Sequence, residues 1–533
     1  MSQQNINNSN SLPAIFINQN NNSKNNQELQ MDSKFQARQE KFIQDENFSK
    51  IKESTMSKEL SYNQDNRNKI ILQKRLHKKN NIESKISLYN SLSIPKDIYD
   101  KLSSEEIQPS DFQKIINLFH SQNKEEKLKG LIGIRKLLSI EPYPPIQEII
   151  DMKIVPELIN LLDNCPNEFK YEAIWCLTNI ASGNPNQANT ILINGGIPKI
   201  YNLLDSDIED IKIQTIWLIA NLIGDSSKIR DTFIVQKIFD KILTILASTN
   251  YDKYIEVCTW AISNFFRVKP IPNYEMSYKA FKIIARAIMI YETTNVEFII
   301  DACFILSILT KNYKEFIKEI LDIDLLPYIV KVLEINNNAI IISCLRIVGN
   351  IASEDNAIQT QKLFDLNILN KLKFTLFNES IGIRKESVFI ISNLAAGTQN
   401  QIEFLIEQNF FEILKKIVKI DVPKVKKEAI YAIANLSLVE NEKHMKKLID
   451  EGILIFIFEC MKDEDPKNIA ISLEVLGNIL AFAKKIGELN NLLNEIEKIG
   501  MVDILENLQV HKDQIIYEKT IQILDTYFET ENA

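Results

Sequence analysis

Residues 175–183 read WCLTNIASG, residues 217–225 read WLIANLIGD and residues 260–267 read WAISNFFR. Each run opens on a tryptophan and places an asparagine four positions later. With the first side chain varied, the pair returns as Arg346 with Asn350, Phe389 with Asn393 and Tyr431 with Asn435, at intervals of 42 or 43 residues with one doubled gap. Self-similarity at this period marks an array of helical units, each burying its apolar face against its neighbours. One long superhelix follows, so chain length does not count domains here.

The 533 residues are 45% hydrophobic and 25% charged with only 13 Gly, which suits a helix-rich chain and argues against barrels and sandwiches. The period is that of armadillo and HEAT arrays. One unit shows the construction. Gly195 and Gly196 end one helix, Pro198 suits the first turn of the next, and Asp205, Ser206 and Asp207 offer an N-cap before a long segment from Ile208 to Ile223, stopped by Gly224. Punctuation at Gly183, Pro185 and Gly397 repeats the scheme, predicting a short, a middle and a long third helix per period, the third carrying the recurring pair.

No stretch is long and apolar enough to span a bilayer, and the Asn-rich start lacks the apolar core of a secretory signal, so the expectation is a soluble intracellular protein. The six cysteines (Cys165, Cys176, Cys258, Cys303, Cys344, Cys460) are scattered without C-x-x-C spacing and read as buried reduced thiols. Neither they nor His77, His120, His444 and His511 form a metal-site pattern, and no phosphate loop, nucleophile elbow or paired-acid motif is present; no cofactor and no enzymatic activity are expected.

Charge is uneven along the chain. Residues 1–33, rich in Asn, Gln and Ser, are expected to be a disordered tail. Lys34 to Asn80 hold twelve Lys or Arg against six Asp or Glu, within a basic arm spanning residues 34–84. Residues 81–533 carry 49 basic against 62 acidic side chains, a net −13. The regular array is placed at residues 104–528, with a short acidic tail at 529–533.

At about 100° per residue, Trp175 and Asn179 lie about 40° apart on one helix face, whereas Ala173, Leu177 and Ile180 fall nearly opposite. The same holds for Trp217 and Asn221 against Ile219 and Leu222, and for Trp260 and Asn264 against Cys258, Ile262 and Phe265. Three tryptophans in register, each turned from the apolar stripe, argue for a row lining a concave groove rather than for ordinary core residues. The asparagines have a second reading, a ladder tying adjacent third helices, and one amide can serve both. An extended peptide offers alternating N–H and C=O groups, which an amide can both accept from and donate to. Rings spaced by the repeat form slots for a long aliphatic stem ending in a cation. Nearby acids such as Glu172, Asp225, Asp301 and Glu428 would favour lysine and arginine.

These runs resemble the importin alpha family of armadillo-repeat adaptors for basic nuclear localisation signals. WCLTNIASG is similar to the family's second repeat, WLIANLIGD to its third and WAISNFFR to its fourth. LRIVGNIAS from Leu345 is similar to the sixth and KEAIYAIAN from Lys427 to the eighth. RKLLSIEPYPPIQEII from Arg135 and the run from Ile496 to Phe528 extend the likeness to about four fifths of the chain. The resemblance implies an all-α, right-handed armadillo-repeat superhelical solenoid of about ten three-helix repeats.

It further implies a major signal-binding site at Trp175, Asn179, Gly183, Trp217, Asn221, Asp225, Trp260 and Asn264, with Asp225 receiving the most tightly held lysine. A minor site would use Arg346, Asn350, Phe389, Asn393, Glu428, Tyr431 and Asn435. Departures are Ala188 where the family has a threonine, Phe389 and Tyr431 for tryptophans, and Phe304 with Ile308 in the fifth repeat. KIILQKRLHKK at residues 69–79 resembles the end of the family's importin-beta-binding segment, so Lys74, Arg75, Lys78 and Lys79 would bind that receptor or fold back into the groove; a merely solvated tail is the other reading. The implied partners are cargo proteins, importin beta and a recycling exportin gripping the last repeat, with shuttling between cytoplasm and nucleus. An armadillo scaffold of adhesion or signalling type is the rival. An acidic body disfavours nucleic acid.

Overall fold

The computed structural model describes residues 109–140, 143–224, 226–291, 295–354 and 356–528. Among these, all regular structure is helical. Ten long helices succeed one another as the third helix of each unit: α2 (Lys124–Leu137), α5 (Asn167–Ala181), α8 (Glu209–Ile223), α11 (Asp252–Arg267), α13 (Val296–Asn312), α16 (Asn338–Ala352), α19 (Ile381–Ala395), α22 (Pro423–Leu436), α25 (Pro466–Ile486) and α28 (Gln514–Tyr527). Each packs on the next, giving one unbroken spine. The opposite-face prediction holds: Ala173, Leu177, Ile180, Ile219, Cys258, Ile262 and Phe265 are sealed within a single apolar core running the length of the stack.

Two shorter helices precede most third helices and meet at a corner made by one residue in the left-handed region. The corner residues are Lys153, Gly195, Lys237, Asp324, Asn367, Asn409, Gly452 and Gly500, with φ between 55° and 87°. A single such residue reverses the chain between, for example, α6 (Pro185–Ile193) and α7 (Gly196–Leu203) without an intervening loop. The fifth unit departs from the expected three-helix plan. Its α12 (Tyr274–Tyr291) runs 18 residues without a break, because YEMSYKAFKIIARAIMIY holds no glycine, proline or left-handed residue. The loop before it is clamped by the buried Arg230, whose guanidinium donates to the carbonyls of Val268 and Pro270.

A second correction concerns the start of α8. The N-cap is Ile208, which supplies no side-chain acceptor; Ser206 Oγ instead accepts from the Ile208 N–H at 3.2 Å, and Asp205 pairs with Lys241 at 2.5 Å. That pair is one of several linking successive units away from the third helices, with Lys199 to Asp163 at 2.9 Å and Lys279 to Asp240 at 3.3 Å. Such exposed pairs contribute roughly 0–1 kcal/mol each and act mainly on register. All six cysteines are free thiols, five of them buried. No described helix is long and apolar enough to cross a membrane.

Candidate peptide-binding groove

The recurring pairs sit where the third helices stack, and the asparagines form a ladder. Asn221 Nδ2 donates to the Thr178 carbonyl at 3.0 Å, Asn264 Nδ2 to that of Ala220 at 2.9 Å and Asn435 Nδ2 to that of Ser392 at 2.8 Å. Asn179 Nδ2 reaches Ser139 Oγ at 3.0 Å, and Asn350 Nδ2 reaches Thr310 Oγ1 at 2.8 Å. Each bond ties one third helix to its predecessor. A primary amide offers two N–H groups and an acceptor oxygen, so one rung leaves capacity for a ligand. Asn350, Asn393 and Asn435 are half-buried, whereas Asn264 is 1% exposed and its Oδ1 already accepts from Arg267 Nε at 3.1 Å. Among these side chains Asn393 is the exception to the ladder, its buried Nδ2 making no hydrogen bond.

Trp175 and Trp217 are half-buried, and Trp260 retains 8% of its surface. The Trp217 and Trp260 rings touch, centroids 4.8 Å apart at 48°, so the slot expected between them is closed in this conformation. Trp175 carries a resident cation instead: the Arg135 guanidinium lies 4.3 Å from its ring. Glu172 holds that arginine at 2.5 Å and is itself buried, so this acid is engaged within the protein. Burial draws the Arg135 pKa down, yet Glu172 outweighs it and the net direction is upward. Arg267 plays a similar part beside Phe304, 4.8 Å from ring to guanidinium. Asp301 accepts from Ser263 Oγ at 2.8 Å. Gly183 precedes the Asn184–Gln187 capping box that starts α6, and a Cβ on it would stand 2.2 Å from Gln187 Oε1.

In the distal half, Arg346 pairs with Glu386 at 3.1 Å and the Phe389 ring lies against Gly349 of the preceding third helix. Lys427 Nζ stands 6.0 Å from the Tyr431 ring. Glu428 is buried with Oε2 unpartnered. Burial pushes its carboxyl above the usual range, against the pull of Lys385 and Lys427 and with a smaller upward push from Glu386. Among the described residues no cluster has the composition of a metal site. Asp225, Lys74, Arg75, Lys78 and Lys79 lie outside the described residues.

Two ends of the row escaped the sequence reading. Arg135 with Ser139, and Glu474 with Asn478, keep the four-residue spacing one period beyond Trp175 and Tyr431; Asn478 Nδ2 donates to Ser437 Oγ at 3.0 Å. The spacing alone marks them, but neither holds an aromatic residue.

Family models of the armadillo/beta-catenin-like repeat and of an atypical Arm repeat match residues 142–182 and 490–533. Importin subunit alpha-1a of Oryza sativa subsp. japonica is 32% identical over 418 residues, covering 77% of this chain and 78% of its own. The chain belongs to the importin alpha family. Importin subunit alpha-B of Dictyostelium discoideum is 41% identical over 240 residues, 44% of this chain and 46% of its own. The fold is similar to that in a crystal structure of an engineered protein, with a TM-score of 0.66 at 20% identity over 78% of this chain and 99% of that one. In that family frame, the third-helix row that holds Trp175, Trp217 and Trp260 is also the row joined by the asparagine ladder.

Proposed function

We propose that this importin alpha is a nuclear import adaptor: its third-helix groove holds lysine- and arginine-rich localisation signals of cargo, and its basic arm links the loaded adaptor to importin beta. The observation that carries the reading is the recurrence of half-buried rings and ladder amides along one continuous spine, in a chain with importin alpha relatives over most of its length. Trp175, Asn179, Gly183, Trp217, Asn221, Asp225, Trp260 and Asn264 form the major site in this reading. Arg346, Asn350, Phe389, Asn393, Glu428, Tyr431 and Asn435 form the minor one.

The chemistry is that of an extended backbone fixed by amides and of cationic stems lying on rings. Because Arg135 already covers one face of Trp175, a ligand lysine there uses the opposite face. Because Trp217 and Trp260 touch, entry between them requires one ring to rotate about its side-chain torsions. The arm residues Lys74, Arg75, Lys78 and Lys79 compete for the same groove when importin beta is absent. A recycling exportin binds the empty adaptor, which shuttles between cytoplasm and nucleus.

A fluorescence titration with a PKKKRKV peptide tests the reading. Binding is expected, and Trp217→Ala combined with Asn221→Ala is expected to weaken it at least tenfold while the helical circular dichroism persists. Equal affinity in the double variant overturns the assignment of the groove.

A further inference from the structure

Residues 410–427 read FFEILKKIVKIDVPKVKK, six lysines against one glutamate and one aspartate, a net +4 within a body of net −13. Lys427 stands beside Tyr431 in the groove, and Lys415 is held by Glu412 and the Glu451 carbonyl. Lys416 and Lys419 are exposed near the end of α21 (Phe410–Ile420), within about 100° of Ile420 around the helix. Ile420 is itself 75% exposed. In the preceding unit, Phe374 near the end of α18 (Ile368–Thr375) is 80% exposed, and Phe377, one turn later, is 51% exposed. A cleft of about 240 Å³ is lined by the apolar Leu376, Phe377, Ile417 and Ile420 and by the ion pair of Arg384 with Asp421. Asn378 and the exposed Glu379 complete the lining.

We propose that this cleft is a docking site for an acidic peptide, which inserts one bulky apolar side chain between Phe377 and Ile420 while its carboxylates meet Lys416 and Lys419. The site is separate from the third-helix groove and opposite to it in ligand charge.

The cleft is built before any ligand arrives. Arg384 Nε and Nη2 donate to the two carboxylate oxygens of Asp421 at 2.6 and 2.8 Å, and Nη1 donates to the carbonyls of Asn378 and Glu379 at 2.8 and 2.9 Å. That one guanidinium pins the end of α18, the start of α19 and the end of α21 together, so binding has little backbone left to order. It also neutralises Asp421, leaving a lining that favours an apolar group. The volume is below the roughly 300–1,000 Å³ of small-molecule sites and suits a single side chain. Aromatic and aliphatic surface held in water at the rim supplies the driving force. Charge sets the occupant and its placement: the lysines of α21 attract carboxylates, whereas Glu379 repels them from the α18 side. A lipid surface calls for a broad apolar face, and a nucleic acid would bring phosphates against Glu379.

Fluorescence anisotropy with the full chain and labelled DEEDFDEED tests this. Saturable binding is expected, at least fivefold tighter than that of DEEDADEED, which lacks the apolar anchor. Phe377→Ser combined with Ile420→Ser should weaken DEEDFDEED at least fivefold, and so should Lys416→Glu combined with Lys419→Glu. All four side chains are exposed or at the rim, and PKKKRKV affinity within twofold of wild type shows that fold and groove persist in both variants. Absence of binding overturns the proposal, as does an affinity within twofold of wild type in either double variant, the result expected if the basic arm captures the probe. Phosphatidylserine vesicles or oligo-dT held by the full chain and released by Phe377→Ser with Ile420→Ser, with DEEDFDEED unaffected, would assign the patch to lipid or nucleic acid and overturn it equally.

Discussion

Glu428 presents a carboxylate that burial has deprived of water, with Oε2 left unpartnered. Its pKa is raised in the folded chain, so the stability it contributes is fully present below the unfolded value and lost as pH rises through the folded one. Glu428→Gln should therefore raise the unfolding midpoint at pH 7, with a gain of about 1 kcal/mol that shrinks towards pH 4. Thermal melts across that range check it, and a variant less stable than wild type at pH 7 contradicts the burial account. The same substitution should weaken a basic peptide in the distal groove, since a ligand ammonium would satisfy the carboxylate. At this scale the sequence exposed the positions of Trp175, Trp217 and Trp260 through their spacing. It did not expose what covers them. The Arg135 that caps Trp175 comes from another helix 40 residues away, and the contact between Trp217 and Trp260 depends on rotamers that no spacing rule encodes.

Helix corners carry the next level of specification. Lys237 and Gly452 occupy equivalent left-handed corners, at φ 58° and 87°. A side chain there costs roughly 1–2 kcal/mol, and a Cβ at Gly452 would meet no atom within 4 Å, so only backbone strain enters. Gly452→Ala should lower stability by about 1 kcal/mol and Lys237→Gly should raise it by several tenths, since glycine's greater freedom in the unfolded chain offsets part of the gain. Denaturant unfolding of the two variants measures both signs. The third helices were legible because their apolar stripes repeat, and Gly195 was legible as a stop. Corners built from Lys153 and Lys237 were not, since lysine favours no turn strongly. The N-cap expected from Asp205 to Asp207 failed for another reason: the Asp205 side chain bonds to a neighbouring unit and that of Ser206 to the Ile208 N–H.

Across the whole molecule, the sequence joins a basic arm to an acidic body, and their opposite charges are expected to regulate the groove. A chain beginning at Ser84 should bind PKKKRKV more tightly than the full chain, and raising NaCl from 50 to 500 mM should weaken both while narrowing the difference. Calorimetric titration reads both effects; equal affinities at low salt remove self-occupation by the arm. The array was readable from sequence because its period is printed six times over, whereas the fifth unit, which breaks the pattern, could only be marked as irregular. There two features coincide. Its ladder position is Ile308, so the joint to α11 relies on Ser263 and Asp301 rather than on an amide-to-carbonyl rung, and its first two helices are fused into α12. A pile of near-identical planks gives way where the fastening changes, and two joints qualify: this one and the one at Asn393, whose Nδ2 makes no rung. Under tension, parting at the fifth unit would leave a front section holding the three tryptophans and a rear section holding Phe389 and Tyr431.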